Sequence, residues 1–279
     1  MDLKGKNCII TGATSGIGRE TAKALAAEGV KLVLPIRDTL KGDSLREDIL
    51  SQTPDASLEF IHCDLASMRS IRNFVAEYKK KHTKLHLLIN NAGIWETKRN
   101  HTEDGIEKNF AVNHLAPFLL TNLLLDTIKE SSPARIINVS SEAHRQGVIR
   151  FDDPEFEKKY SSFRSYAQSK LANILFTKKL SQKLKGSGVT ANCLHPGVVS
   201  TNLFDKMPKL LMGLMGLIMI SPKKGAQTTI YLATSEEVEH TSGEYFAKSK
   251  RKKPVAHALR QDTADRLWEL SEKYVGIQP

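Results

Sequence analysis

The octet Thr11-Gly12-Ala13-Thr14-Ser15-Gly16-Ile17-Gly18 lies between the apolar run Cys8-Ile9-Ile10 and a segment in which Ala22, Leu25 and Ala26 have helical spacing. Glycines at such a point allow the backbone to turn sharply and to approach a ligand closely. A helix that begins at the end of the loop presents free N–H groups and a positive dipole to an anion. The octet is typical of a loop that binds a diphosphate, although its T-G-x-x-x-G-x-G spacing also fits a plain strand-to-helix turn.

Short β-rich runs alternate with longer segments of helical spacing along most of the chain. This alternation predicts an α/β fold, a doubly wound parallel sheet with helices on both faces. The 279 residues contain no linker-like stretch, so a single domain over residues 1–279 is expected. The predicted strands are 7–10, 31–34 (ending before Pro35), 58–61, 85–89, 135–139, 190–194 and 243–246. The predicted helices include 67–80, 106–129, 166–184, 222–232 and 256–274.

Composition limits the classes of partner. The formal net charge of +10 suggests nucleic acid, but the basic clusters 79–81 and 248–253 lack interleaved aromatic residues, so no nucleic-acid partner is expected. Solvated surface or attraction to anionic lipid or to a phosphorylated cofactor explains the charge better. Cys8, Cys63 and Cys193 have no metal-ligand spacing and are expected to be buried hydrophobic residues. Residues 1–6 lead directly into the first strand, so an intracellular, cytoplasmic protein is expected.

Polar or glycine-rich residues follow each of the first six predicted strands. Because ligands of doubly wound sheets lie at the carboxyl ends of the strands, these residues are expected to converge. Tyr166 and Lys170 are four apart in a predicted helix and project from one face of it, and Ser141 lies at the same rim of the sheet. The residues that follow the strands are Gly12–Gly18, Arg37, Asp64, Asn91–Gly93, Ser140-Ser141 and His195-Pro196-Gly197.

The chain resembles the short-chain dehydrogenase/reductase family, in the order and spacing of its motifs over residues 11–201. Within that family it is most similar to the retinol dehydrogenase-like branch, through Arg37-Asp38, Val139-Ser140-Ser141, Phe151-Asp152-Asp153 and the run from Tyr166 to Asn173. The resemblance implies a Rossmann-like fold and a hydride transfer between a nicotinamide and a carbonyl or alcohol. The matching motifs are Thr11-x-x-x-Gly16-x-Gly18, Asp64, Asn90-Asn91-Ala92-Gly93, Asn113, Ser141, Tyr166-x-x-x-Lys170 and Pro196-Gly197.

The resemblance also implies four catalytic roles. Tyr166 is the acid in reduction and, as phenolate, the base in oxidation, and the Lys170 ammonium, together with the cationic nicotinamide, favours the phenolate. Ser141 holds the substrate oxygen, and Asn113 supports Lys170 through water. Ser140 is the rival to Ser141, since alternate side chains of a strand face opposite ways. A Ser-His hydrolase built on His144 or His195 is disfavoured, because the chain has no G-x-S-x-G motif.

Cofactor choice depends on the end of the second strand. NAD binders usually have an acidic residue there, whereas this chain has Ile36 followed by Arg37, whose planar cation suits a 2′-phosphate. NADP(H) is favoured over NAD(H), with Asp38 as a residue that could pair with Arg37 or repel the phosphate. The implied cofactor-binding residues are Gly12, Thr14, Ser15, Gly16, Ile17, Gly18, Arg37, Asp64, Leu65, Asn91, Ala92, Gly93, Tyr166, Lys170, Pro196, Gly197, Val199 and Thr201.

Residues 200–221 allow several interpretations. The part from 210 to 220 is apolar on every side but too short to span a bilayer, so it fits a packing helix, a cover over a lipophilic substrate, or a patch in contact with a membrane surface. We assign 200–221 as the substrate-covering segment, with peripheral membrane contact as an alternative. Trp268 is expected in the core, and Trp95 either lines the substrate pocket or covers surface.

The sequence predicts an NADP(H)-dependent alcohol dehydrogenase or carbonyl reductase acting on a lipophilic small molecule such as a retinoid or steroid. The alternative is a non-catalytic NADP(H)-binding sensor or scaffold, which would not need the proton donor Tyr166. A homo-oligomer that pairs through the helices 113–129 and 166–184, as is common in the family, is a further expectation, although the loop before Tyr166 is placed to obstruct it.

Overall fold

Strand and helix alternate through most of the computed structural model, which describes residues 2–199 and 219–277. The strands are β1 Asn7–Ile10, β2 Lys31–Ile36, β3 Leu58–His62, β4 Leu87–Asn90, β5 Ala134–Val139, β6 Val189–His195, β7 Tyr245–Ala247 and β8 Lys250–Lys252. They form one sheet in the order β3-β2-β1-β4-β5-β6-β7-β8. The first seven strands are parallel, and β8 is antiparallel to β7. The strand order reverses between β1 and β4, which is where doubly wound sheets bind ligands.

The helices cover both faces of this sheet, so the predicted fold class is confirmed. Side chains alternate between the faces along each strand, as in β1, where Ile9 packs into one core and its neighbour Ile10 into the other. The helices are α1 Gly16–Ala27, α2 Thr39–Gln52, α3 Met68–Lys81, α4 Lys108–Phe110, α5 Ala116–Lys129, α6 Ser162–Lys183, α7 Pro222–Thr234 and α8 Gln261–Val275.

Strand β2 continues through Pro35, where the sequence predicted that it would end. Lys31 donates its N–H to Lys6, next to β1, whereas Leu32 donates to Ser57, next to β3. By this alternation Pro35 faces β1, but the last residue of β2 paired with β1 is Val33. The missing N–H therefore removes no ladder bond, and the strand pairs with β3 as far as Ile36.

Two further differences lie near the C-terminus. Strand β8 has no apolar alternation, so its pattern gave no signal. It follows β7 through Lys248 and Ser249, both at positive φ, as in a two-residue hairpin turn. The closing helix α8 begins at Gln261 rather than at 256, after a short 3₁₀ turn.

Helix α8 packs on the helices that precede and follow β5. The Trp268 ring lies 4.9 Å from the Phe118 ring and 5.8 Å from that of Phe176, which confirms the expectation that Trp268 is a core residue. Residues 165–177 of α6 are all buried within the chain itself. Pairing of two subunits through α6 would compete with α8 for this surface, and a homo-oligomer stays a prediction.

Residues 200–218 lie outside the described part of the chain, and with them Thr201 and nearly all of the predicted substrate-covering segment. On its far side, the Ile220 N–H donates to the Val198 carbonyl at 2.8 Å, beside the end of β6. Within residues 2–199 and 219–277, no helix combines the length and the apolar character needed to cross a bilayer.

Truncation of Trp268 tests the importance of the α8 contact. We expect Trp268→Ala to lower the free energy of unfolding by about 3–5 kcal/mol, because it leaves a cavity among aromatic rings. Trp268→Phe keeps a ring there and should cost much less. Urea unfolding followed by circular dichroism measures both, and equal, small losses would show that α8 contributes little to the core.

Candidate active site

The loop between β1 and α1 is too tightly packed for side chains at two of its glycines. A Cβ on Gly18 would lie 2.2 Å from the Gly12 carbonyl oxygen, and one on Gly12 would lie 3.0 Å from the Ala92 Cα. Gly12 also has a φ of +67°, which L side chains rarely adopt. Because these two positions have no side chain, the backbone at the N-terminus of α1 lines the cavity directly as a cradle that suits a diphosphate.

Asn91 and Thr11 fasten this cradle to the end of β4. The Thr11 hydroxyl accepts the N–H groups of Asn91 and Ala92, both at 3.0 Å. In return, the Asn91 side-chain amide donates to the carbonyls of Thr11 at 2.9 Å and Gly12 at 3.3 Å. Asn91 therefore lines the cavity while its amide group shapes the glycine-rich loop.

Two cations border the same cavity, Arg37 just after β2 and Lys41 in the first turn of α2, and the end of β3 brings the carboxylate of Asp64. The Arg37 side chain is 68% exposed and its Nη1 lies 3.9 Å from the Asp64 carboxylate. Asp38 does not pair with Arg37; its carboxylate caps α2 by accepting the Lys41 N–H at 3.2 Å and lies 3.7 Å from Lys41 Nζ. Lys41, which the sequence analysis missed, is four residues after Arg37 and lines the same cavity.

Ser141, Tyr166 and Lys170 meet at the carboxyl end of β5. The Ser141 hydroxyl lies close enough to the Tyr166 phenol to lower the pKa of that phenol, and Lys170 Nζ lies 5.7 Å from the centre of the Tyr166 ring. Lys170 Nζ also donates to the Val139 carbonyl at 3.2 Å. The rival hydroxyl, that of Ser140, points the other way and donates to the Lys170 carbonyl at 2.7 Å.

Burial changes the proton affinity of both ionisable groups. It raises the pKa of Tyr166 to about 12, with the Ser141 hydrogen bond lowering it in part. It lowers the pKa of Lys170 to about 8. Burial thus opposes the expected stabilisation of the phenolate by Lys170, and the phenol keeps its proton at neutral pH.

Asn113 is fully buried, in a widened turn of helix. Pro117 has no N–H to give the Asn113 carbonyl, and the Ala116 N–H bonds back to Ala111, so the turn at 111–115 is π-helical. The Asn113 side chain accepts the Ile94 N–H at 2.8 Å and donates to the Ile94 carbonyl at 2.9 Å. A Cβ on Gly93 would lie 3.0 Å from Lys170 Nζ and 3.4 Å from Asn113 Oδ1, so both groups border Gly93.

One cavity of about 1050 Å³ joins these parts. Each predicted site residue within the described ranges lines it, except Asn113, which lies behind Gly93; Thr201 is outside those ranges. Further apolar and aromatic lining residues had no motif to mark them: Ile94, Trp95, Val112 and Phe163. Trp95 therefore lines the pocket, the first of the two interpretations of that residue.

The two histidines near Ser141 bond to backbone groups. His144 Nδ1 lies 2.7 Å from the Ser141 carbonyl oxygen and its Nε2 accepts the Val255 N–H at 3.4 Å. His195 Nδ1 accepts the Glu142 N–H at 3.2 Å, and burial lowers the pKa of His195 to about 4. This is not the geometry of a serine activated by histidine.

The chain is similar in sequence to known proteins over its whole length. The family model for short chain dehydrogenase matches residues 6–210. Retinol dehydrogenase 12 of Mus musculus is 43% identical over 280 residues, which cover 100% of this chain and 89% of that protein. Retinol dehydrogenase 13 of Homo sapiens is 44% identical, over 99% of this chain and 86% of that protein.

Two solved structures have the same fold. An uncharacterised protein from Mycobacterium paratuberculosis superposes with a TM-score of 0.77 at 31% identity, covering 99% of this chain and 97% of that one. Levodione reductase, at 22% identity, has a TM-score of 0.73 over 87% of this chain and 95% of its own, a likeness of fold alone. The chain belongs to the short-chain dehydrogenase/reductase family of oxidoreductases, whose members bind a nicotinamide cofactor, and it is similar to retinol dehydrogenases.

Proposed function

We propose that this protein is an NADP(H)-dependent oxidoreductase that transfers a hydride between the nicotinamide and a lipophilic carbonyl compound or alcohol. The observation that carries the proposal is the buried contact of the Tyr166 phenol with Ser141 and Lys170 in the cavity that also contains the glycine cradle. The bound cofactor supplies or accepts the hydride. The chain supplies a proton and the groups that hold the substrate oxygen.

In carbonyl reduction, negative charge develops on the substrate oxygen as its carbon gains hydride. Tyr166 Oη gives this oxygen its proton, and the Ser141 hydroxyl donates a hydrogen bond to it. The Lys170 ammonium stabilises the phenolate that remains. Because the pKa of the buried phenol is raised, Tyr166 carries at neutral pH the proton that carbonyl reduction requires.

The cradle residues Gly12 to Gly18 would hold the diphosphate, and Arg37 and Lys41 the 2′-phosphate of NADP(H). Arg37 and Lys41 border that end of the cavity; of the two carboxylates there, Asp38 caps α2 and Asp64 lies 3.9 Å from Arg37 Nη1. Ile36 stands where an NAD-specific carboxylate would accept hydrogen bonds from the 2′-hydroxyl. Electrostatics therefore favour the phosphorylated cofactor.

A lipophilic substrate is supported by the wall beside Tyr166. Ile94, Trp95, Val112 and Phe163 give this end of the cavity an apolar and aromatic surface. The similar proteins are named retinol dehydrogenases, so a retinoid-like or steroid-like carbonyl compound is the class to test first.

Replacement of Tyr166 tests the proton donor. We expect Tyr166→Phe to lower kcat for NADPH-dependent carbonyl reduction by at least about a hundredfold, because the variant lacks the acid. NADPH affinity, measured by titration calorimetry, should stay the same. Tyr231→Phe, on α7 and outside the cavity lining, is the matched control. Undiminished turnover in Tyr166→Phe would show that Tyr166 is not the proton donor. If the wild type binds NADPH but oxidises it with none of a broad panel of carbonyl compounds, a non-catalytic sensor is favoured.

Removal of Arg37 tests cofactor preference. Loss of a charge-assisted contact to the 2′-phosphate should raise the KM for NADPH about tenfold to a hundredfold, with little change for NADH. Arg46→Ala is the control; Arg46 is on α2 and its side chain lies over the ring of Phe60, on β3. Steady-state kinetics with both cofactors measures the effect, and equal changes for NADPH and NADH would contradict the 2′-phosphate assignment.

Lys170 sets the expected pH dependence of reduction. Its pKa of about 8 means that the ammonium is present below that pH and lost above it, while Tyr166 still carries its proton. We expect kcat/KM for reduction to fall as pH rises through about 8. The residual activity of Lys170→Met should lack this step. A step that persists in Lys170→Met would belong to another group.

A further inference from the structure

The indole of Trp95 lies flat on the ring of Tyr166. The two ring centres are 4.9 Å apart and the planes differ by 9°. Such a stack covers one face of the phenol and keeps water away from it. Because both rings line the cavity, the stack lies where the substrate oxygen would meet the proton donor.

Trp95 is itself held by residues at the start of the helix that carries Tyr166. Its Nε1–H donates to the Ser162 hydroxyl at 2.6 Å, and that hydroxyl donates to the Glu96 carbonyl at 2.8 Å. The Phe163 ring lies 6.0 Å from the indole at a 50° tilt. The indole is thus oriented by a hydrogen bond at one edge and by ring contacts with two residues of α6.

The backbone on both sides of Trp95 is clamped by two buried asparagines four residues apart. Asn113 bonds both the N–H and the carbonyl of Ile94, and Asn109 Oδ1 accepts the Glu96 N–H at 2.8 Å. The Tyr160 hydroxyl donates to the Glu96 carbonyl at 3.1 Å. Fixed backbone before and after Trp95 leaves the indole with little freedom to move away from Tyr166.

We infer that Trp95 is a positioning residue for Tyr166, which keeps the phenol oxygen directed at the substrate during proton transfer. The inference rests on the proposed function. Ser141 lies beside the phenol hydroxyl, but rotation about the Tyr166 Cα–Cβ bond is opposed by what lies against the ring, and Trp95 lies flat against it. A displacement of about 1 Å at a reacting group costs about a hundredfold in rate.

The kinetic test compares two substitutions of Trp95. Trp95→Ala is expected to lower kcat about tenfold to a hundredfold, in addition to any rise in the KM for the carbonyl compound from loss of the apolar wall, with the KM for NADPH little changed. Trp95→Phe keeps a flat ring against Tyr166 and should stay within about threefold of the wild type. Trp268→Phe, which alters the only other tryptophan of the chain, is the matched control.

Ser162→Ala provides a milder variant in case Trp95→Ala does not fold. It removes the hydrogen-bond partner of the indole and leaves the ring in place. We expect a loss in kcat of about twofold to tenfold, the cost of one hydrogen bond. A rise in KM for the carbonyl compound with kcat unchanged in these variants would show that Trp95 only lines the substrate path, and would overturn the inference.

Fluorescence tests the stack without any turnover. In a Trp268→Phe background, Trp95 is the only source of indole emission. Adding Tyr166→Ala should shift that emission to longer wavelength and increase quenching by acrylamide, whereas Tyr166→Phe should not. Identical emission in all three proteins would overturn the stacked geometry.

The two proposals fail in different ways. If the wild type reduces carbonyl compounds and Trp95→Ala has the same kcat, the positioning role is wrong and the enzyme assignment stands. If the wild type binds NADPH but oxidises it with no carbonyl compound, the proposed function is wrong and the positioning role falls with it.

Discussion

Buried hydrogen bonds between α6 and the end of β5 fix the geometry of the candidate site. Lys170 and Asn173 both donate to the Val139 carbonyl at 3.2 Å, and Ser140 donates to the Lys170 carbonyl at 2.7 Å. Each polar group buried here would cost free energy if its partner moved. Helix α6 therefore cannot slide or rotate along the sheet without breaking several of these bonds, and the position of the Tyr166 phenol follows from them.

The same edge of the sheet holds the glycine cradle through backbone contacts. Because Gly12 and Gly18 have no Cβ, the β1–α1 loop approaches Ala92 at the end of β4 closely. The segment that continues from β4 then carries Gly93 past Lys170 and Asn113. The proposed diphosphate site and the proposed proton donor are therefore linked by a short stretch of backbone, residues 91–96, whose N–H groups bond to Thr11, Asn113 and Asn109. A substitution in this stretch would alter the geometry of both the diphosphate site and the proton donor.

How much the sequence could predict depended on the range of the interaction. The doubly wound, mostly parallel sheet follows from local periodicity and chain connectivity, and this fold class is confirmed. Contacts between residues that are distant in the chain could not be predicted from local sequence patterns. The choice of Ser141 over Ser140 depends on which hydroxyl is taken up by the Lys170 carbonyl and which is left beside the Tyr166 phenol, and the role of Asp38 depends on where α2 begins. Pro35 would end the strand only if β1 needed an N–H donor at that position, and this depends on where β1 ends. Trp95 belongs to no motif, and its stack on Tyr166 joins residues 71 positions apart in the chain.

Burial acts on the two ionisable groups of the site in opposite directions. A phenol is charged after it loses its proton, so burial raises its pKa from an ordinary 10.0 to about 12. An ammonium is charged before it loses its proton, so burial lowers its pKa from an ordinary 10.5 to about 8. Two groups of similar intrinsic proton affinity are thereby separated, and near neutral pH both carry their protons. The pair then holds a neutral acid beside a positive charge, which stabilises the phenolate once that acid has given its proton away.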